Sequence, residues 1–263
     1  MPLIALITDF GLTDWFAGEM KGVIQAAAAD VTIIDITHGI PFGDNRRAAF
    51  TLAASYRSFP PGTVFCVAVD PGACSIRKPI AADTGVYRFV GPDSGVLSWM
   101  LYNEPNAAIR AIDNSKLFRA APRSTTFHGR DILGPVAAHL AAGVPFADVG
   151  TAVASYQRLS FPRPIIDTAS ITTEIIATDR FGNLITSIDA SLVHLLTRAP
   201  ALSLRYAEQS RPMRYAEFYQ EVPSSEPLCY LGSAGFVEIA INRGSAADRF
   251  GLRDGDRVEL RIG

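Results

Sequence analysis

The chain is predicted to be an α/β protein, with an N-terminal, mostly parallel sheet flanked by helices and a smaller C-terminal antiparallel β-barrel domain. Three observations predict this. Apolar, β-branched runs alternate with helix-period segments through residues 1–160. The segment SFPRPIID (160–167) then breaks the pattern with two prolines, each fixing the backbone and removing a donor, and reads as a linker. From 168 to 263 only short alternating runs separated by turn residues remain.

Each element follows from its own residues. LIALIT (3–8) is continuously apolar, and a helical stretch runs from Trp15 to Ala29. VTIIDI (31–36) is β-branched and buried in character, and a helix follows from Asp44 to Tyr56. TVFCVAV (63–69), VYRFVG (86–91) and AAIRAI (107–112) are the next strands, with a short helix over Gly95–Tyr102. A helix from Arg130 to Ala142 ends at Gly143. Runs apolar on both faces belong in a parallel sheet covered on each side by helices. In the second half TTEIIATD, NLITSI, ALSLRY, LCYLGS, FVEIAIN and RVELRIG alternate, and Ala190–Leu196 is the one helix expected there.

Composition narrows the function classes. With 263 residues, 48% of them hydrophobic and 19% charged, the chain is expected to be soluble and globular, with length for a substantial core. A net charge of −2 offers no electrostatic footprint for nucleic acid or an anionic membrane. The opening MPLIALITDFG reads as a strand rather than a signal peptide, and no run approaches the roughly eighteen apolar residues of a membrane span. The cytoplasm is the expected compartment. Cys66, Cys74 and Cys229 are odd in number and lack metal-ligand spacing, so neither disulfides nor a zinc site are expected. GxGxxG, Walker and HExxH motifs are absent.

Ligands of open parallel sheets bind beyond the carboxyl ends of the strands. Asp9 follows the first strand, His38 the second, Asp70 the third, and Pro92-Asp93-Ser94-Gly95 a later one, so their polar groups are expected along one rim. A carboxylate there can grip a vicinal diol, whereas Asp14 either shares that task or caps the helix beginning at Trp15. His128 and Gly129 open the helix of GRDILGPVAAHLAAG, whose first N–H groups favour an anion. In the second half DRFGN (179–183) and GSAGFVEIAINRGSAA (232–247) set Asp, Asn, Ser and Arg beside Phe181 and Phe236. An Asn side chain can donate to and accept from an adenine edge, and a ring can stack on it. The same tripeptides FGN and NRG also suit tight turns. Asp70, Arg77 and His128 form a set able to take a proton from water and hold the hydroxide, although an Asp–Arg pair and a lone His are also common structural features.

Seven segments occur in order: TDFG, DITHGI, VDPG with Arg77 seven positions after Asp70, GPDSG, FHGRD, DRFGN and EIAINRGSA. Together they resemble the S-adenosyl-L-methionine (SAM) hydroxide adenosyltransferases, relatives of the fluorinases and chlorinases, from about Ile4 to Ala247. The resemblance implies hydrolysis of SAM to adenosine and L-methionine. It also implies a homotrimer whose active sites lie between the N-terminal domain of one subunit and the C-terminal domain of the next. By matching motifs, Asp70, Arg77 and His128 fall on the water-activating triad and Asp9 on the ribose-binding carboxylate. Asp14 lies near the methionine end, and Phe127 and Gly129, on either side of the triad histidine, are expected to contact the substrate. Asp179, Phe181 and Asn183 match the loop recognising methionine and adenine, and Ser233, Arg243 and the backbone around Ala246 match the remaining contacts. No cofactor and no metal are implied; the partners are a small nucleoside substrate and further copies of the chain, without nucleic acid or membrane.

The sequence departs from the family at Asp93-Ser94-Gly95, where DNG is usual, and at Ala234-Gly235, where FG is usual. Gly43 occupies a place where fluorinases carry an aromatic residue. Gly129 stands where the halogenating enzymes carry a hydroxyl donor to halide. Three rival readings remain open: a halide-dependent synthase of 5′-halo-5′-deoxyadenosine, a non-catalytic SAM-binding protein, and a metal-dependent hydrolase built on His38 and His128.

Overall fold

A computed structural model describes residues 2–70 and 78–263. Arg77 and Cys74 therefore lie outside the described residues. The chain divides into two compact units, Met1–Ser160 and Phe161–Gly263.

The first unit runs β1 (Leu3–Thr8), α1 (Phe16–Ala27), β2 (Thr32–Thr37), α2 (Asn45–Ser55), β3 (Val64–Ala68), β4 (Ile80–Asp83), β5 (Arg88–Gly91), α3 (Ser98–Asn103), β6 (Ala108–Ala111) and α4 (Gly134–Ala141). Its sheet has the order β2-β1-β3-β5-β4-β6. The first four of these pair in parallel, and β4 pairs antiparallel with both β5 and β6. Strand alternation divides the core. Ile4, Leu6, Val64 and Cys66 face the layer of Met20, Ile24 and Val136, while Ala5, Ile7, Phe65 and Val67 face Leu52, Tyr56, Leu97 and Met100. Burying each large apolar side chain here is worth about 2 kcal/mol.

Three sequence expectations are corrected. β2 is an edge strand rather than a buried one: Ile34 is exposed and Asp35 turns outward to Lys21. β4 went unread because IAAD is four residues long and half alanine, a poor β signal. The helix expected from Arg130 begins as a π turn, Gly129–Leu133, before α4. Pro135 explains the wide turn. Having no N–H, it cannot donate to the Asp131 carbonyl one turn back, which instead accepts the Arg119 N–H at 2.9 Å.

The second unit runs β7 (Ile165–Ile166), β8 (Ser170–Thr178), β9 (Leu184–Asp189), α5 (Val193–Thr197), β10 (Leu202–Tyr206), β11 (Gln209–Tyr215), β12 (Pro227–Leu231), β13 (Phe236–Ile241), α6 (Ala246–Phe250) and β14 (Arg257–Ile262). The order β14-β10-β11-β12-β13-β9-β8 closes through β8–β14 into a seven-stranded barrel around Ile175, Leu184, Leu204, Ile239 and Leu260. It is not wholly antiparallel, because β11 and β12 pair in parallel over Arg214–Leu228 and Tyr215–Cys229. Ile165–Ile166, read as linker, pairs with β8. A second helix, α6, was also unforeseen; Ser245 caps it by accepting the Asp248 N–H, and Gly251 ends it at φ +66°.

Candidate active site

The rim at the carboxyl ends of β1 and β3 gathers three of the expected residues. Asp9 directly follows β1, and its Oδ2 accepts the Gly43 N–H at 2.9 Å, which fixes the carboxylate while leaving Oδ1 available. Asp70 lies two residues past β3 and is half-buried. His128, also half-buried, immediately precedes the π turn and makes no side-chain cap. What joins them is Gly129. A Cβ at this glycine would fall 3.0 Å from Phe10 Cζ and 3.4 Å from Ala68 Cβ. The residue after His128 thus packs close to the residue after Asp9 and the one two before Asp70, which brings these three stretches of chain to one rim. Phe127 is a wall rather than an open contact, since its buried ring meets Phe10 and Phe16 edge-on at 5.5 and 5.3 Å.

The structure commits His38 to neighbours within the fold. His38 is buried; its Nδ1 lies 2.8 Å from the Thr8 hydroxyl and its Nε2 3.1 Å from Asp35. Burial opposes charge on Asp35, but the Lys21 ammonium at 2.5 Å and the His38 ring together outweigh it and hold the carboxyl below its usual range. His38 therefore ties β1 to β2. Asp14 is exposed and does not cap α1, whose first turn has no side-chain cap, so the capping alternative falls.

A clamp that sequence reasoning missed holds the His128 segment. Asp131 is fully buried, accepts Arg130 Nε and Nη2 at 2.7 and 2.9 Å, Arg119 Nη1 at 3.2 Å and the Ser124 N–H at 2.6 Å. Burial would raise its pKa, yet these donors win and lower it from 3.8 to about 2. The signal was present as the RD of FHGRD. A lowered carboxylate pKa stabilises the fold fully above about pH 4 and loses that contribution as pH falls toward 2, a term on the order of 2 kcal/mol. The stability gap between wild type and Asp131→Asn, measured by urea unfolding, is expected to narrow steadily from pH 5 to pH 2.5. A gap independent of pH would show that charge is not what Asp131 contributes.

In the barrel, the 179–183 loop is a tight turn built around Asp179. Its Oδ1 accepts the N–H groups of Phe181 and Asn183, both at 2.8 Å, and its Oδ2 accepts Asn183 Nδ2 at 2.8 Å. The second Asn183 amide proton goes to the Tyr219 hydroxyl at 3.0 Å, and the side chain is buried. Both Asn183 donors are thus engaged within the protein, and the tight-turn reading of FGN describes this loop. Phe181, by contrast, is 77% exposed. The Gly182 carbonyl accepts the Ala247 N–H at 2.9 Å, docking this turn on Ser245 and on Ala246, which is fully buried. Arg243 is exposed at φ +60° in a second tight turn closed by Gly244 N–H to Ile241 O. Ser233 lies on the turn between β12 and β13 closed by Gly235 N–H to Gly232 O, at the end of β13 opposite Arg243.

Comparison with known proteins accounts for both units. Residues 4–150 match the family model of the SAM hydroxide adenosyltransferase N-terminal domain, and residues 173–259 match that of its C-terminal domain. The chain belongs to the SAM hydroxide adenosyltransferase family. Among its relatives, the (R)-S-adenosyl-L-methionine hydrolase of Thermus thermophilus is 37% identical, covering 99% of this chain and 100% of that one. The protein of the same name from Salinispora arenicola is 36% identical, covering 100% and 98%. A fluorinase of an Actinoplanes species is 25% identical, covering 98% and 97%. A solved structure from Thermotoga maritima, titled an uncharacterized conserved protein, superposes with a TM-score of 0.93 at 36% identity, covering 98% and 99%.

Within this member of the SAM hydroxide adenosyltransferases, the unusual Asp93-Ser94-Gly95 segment is engaged in holding its loop. Asp93 Oδ1 accepts the Gln157 N–H at 2.7 Å, the Ser94 carbonyl accepts Asn45 Nδ2 at 3.3 Å, and Gly95 at φ +94° lies against Leu159. Among the described residues, no group of three or more His, Cys, Asp or Glu is placed to hold a metal ion, and no helix is long and apolar enough to cross a membrane. Cys66 and Cys229 are buried, which pushes both thiols upward, that of Cys229 to about 12. Neither is a thiolate nucleophile at neutral pH.

Proposed function

We propose that this protein is a SAM hydrolase that cleaves its substrate to adenosine and L-methionine. The observation that carries the reading is full-length identity of 36–37% to two relatives named (R)-S-adenosyl-L-methionine hydrolase, across both family domains. The close approach of Gly129, next to His128, to Phe10, next to Asp9, and to Ala68, two residues before Asp70, supports it independently.

The sulfonium makes methionine a neutral leaving group, so the departing side needs no acid, and the difficulty is the nucleophile. Asp70 and His128 orient a water and accept its proton, and Arg77 stabilises the hydroxide as it forms. The oxygen attacks the ribose 5′ carbon in line with the C–S bond, and the bond pair leaves with sulfur as the thioether of methionine. Holding water in that line removes much of the entropic barrier. Asp9 grips the ribose diol through its unengaged oxygen. Phe181 offers a stacking face, Asp14 and Asp179 offset the cationic end, and Ser233, Arg243 and the Ala246 backbone complete the substrate contacts. No cofactor or metal takes part in this scheme.

The protein works in the cytoplasm as a homotrimer in which one subunit's N-terminal domain and the next subunit's C-terminal domain complete each site. Exposed Leu12, Trp15 and Phe42 in the first unit and Phe181 and Phe218 in the second support burial against another copy.

Incubation with each sulfonium epimer of SAM in ¹⁸O-labelled water, with and without fluoride or chloride, tests the reading by mass spectrometry. Label in the adenosine 5′ hydroxyl is expected. A 5′-halo-5′-deoxyadenosine would make the protein a halogenating enzyme, and binding without product would make it a SAM-binding protein. Activity abolished by chelators would restore the metal-dependent reading.

A further inference from the structure

We propose that Glu238, at the end of a one-way hydrogen-bond chain through Tyr230 and Tyr219, is a positioning residue that orients Asn183 and so holds the 179–183 turn in its substrate-binding form. The inference rests on the functional reading above and adds a residue to it that touches no expected ligand group.

The chain is short and its polarity follows from chemistry. Glu238 is buried on β13, directly across from Tyr230 on β12. The Tyr230 hydroxyl donates to Glu238 Oε2 in a short contact. A phenol has one proton, so Tyr230 has none left for Tyr219, whose hydroxyl lies 2.7 Å away. Tyr219 must therefore donate to Tyr230, which leaves Tyr219 able only to accept from the next partner. That partner is Asn183, with Nδ2 at 3.0 Å. Asp179 Oδ2, an acceptor as well, makes the same demand on the same amide at 2.8 Å. Two acceptors thus require the NH₂ side, and the Asn183 amide cannot flip without leaving both unpaired. Leaving buried polar groups unpaired is costly, so the amide is held one way round.

Two further features indicate a place made for the carboxylate. A Cβ at Gly232 would lie 1.9 Å from Glu238 Oε1, so only glycine leaves room for that oxygen. Burial, the neighbouring Glu238 and Tyr219 all keep the Tyr230 phenol above its usual range, so it retains the proton it donates. Burial likewise raises Glu238, with Tyr230 opposing and Asp179 reinforcing. Burying an acid beside a second carboxylate is costly, and an apolar residue would suit a barrel interior better. The cost is offset if the acid sets the direction of the chain.

Two readouts test this: steady-state kinetics with SAM, and exchange of the Asn183 side-chain amide protons followed by NMR. Glu238→Leu and Tyr219→Phe are each expected to raise KM about tenfold with kcat within about twofold. The double variant should be no worse than the weaker single one, since both break one chain. Glu238→Gln keeps an acceptor oxygen for Tyr230 and is expected to recover most of the loss. Amide exchange, slow in the wild type, should accelerate in Glu238→Leu and Tyr219→Phe. Unchanged KM, multiplying KM increases or unaltered amide exchange in folded variants would overturn the proposal. If Glu238→Leu does not fold, Tyr219→Phe and Glu238→Gln decide it. If the wild type releases no adenosine, the functional reading fails while amide exchange still judges the positioning claim.

Discussion

Replacing Arg77 with alanine is expected to lower kcat for SAM hydrolysis by about 10²–10³-fold while the dissociation constant for SAM changes by less than about threefold. The argument is one of timing. The substrate arrives cationic and its sulfur leaves neutral, so a second cation contributes little to ground-state binding. Negative charge on the attacking oxygen develops only as the water loses its proton, and a guanidinium acts on that charge in the transition state. An interaction made only there lowers kcat and kcat/KM together when it is removed. In the proposed scheme Asp70 and His128 act on the same water, so Arg77→Ala combined with His128→Ala is expected to be far less damaging than the product of the two single effects. Rapid-quench turnover alongside calorimetric binding of SAM to each variant separates the outcomes. Loss of binding equal to the loss of rate would make Arg77 a substrate-holding or structural residue, and the activated-water scheme would fail with it.

Gly182→Ala is expected to be the most disruptive single substitution in the barrel. Gly182 stands at φ +82°, and a Cβ there would fall 2.1 Å from Ser245 Oγ, 2.6 Å from Ser245 Cβ and 2.9 Å from its Cα. The strain of an alanine in that backbone region adds about 1–2 kcal/mol, and the collision adds about 1–3 kcal/mol more. Relief requires Ser245 to move, and with it the cap of α6 and the Ala247 N–H bond to the Gly182 carbonyl. The expected result is a drop of about 10 °C in Tm together with a KM raised about tenfold. Gly251→Ala supplies the control, since it has φ +66° with nothing within 4 Å and so carries backbone strain alone. Calorimetric scans that found the two variants equally stable would show that the contact with Ser245 is unimportant.

Legibility in the sequence followed the range of the interactions. β1 and β3 could be read because both faces of each strand are apolar, which a linear string displays directly. β4 could not, because IAAD becomes a strand only between partners at 88–91 and 108–111. The parallel β11–β12 pair was equally hidden, since strand direction depends on how the barrel closes. In the candidate site, Asp9 and Asp70 were placed by the strands they follow. The segment carrying His128 could be set beside theirs only by the close approach of Gly129 to Phe10 and Ala68. The Asn183 partner Tyr219 was not legible, because the hydroxyl that takes one of its protons lies 36 residues away.

By itself, then, the order of apolar runs and short polar motifs was enough to determine an α/β unit followed by a barrel, the family, and the residues to suspect. Tertiary structure alone decided which polar atoms are already committed. His38 belongs to Thr8 and Asp35, Asp131 to two arginines and a backbone N–H, and the Asn183 donors to Asp179 and Tyr219. The physical reason is that apolar burial is roughly additive along a strand or helix and leaves its period in the sequence. A hydrogen bond is a limited valence shared among neighbours in space, and which neighbour claims it is settled only when the chain has folded.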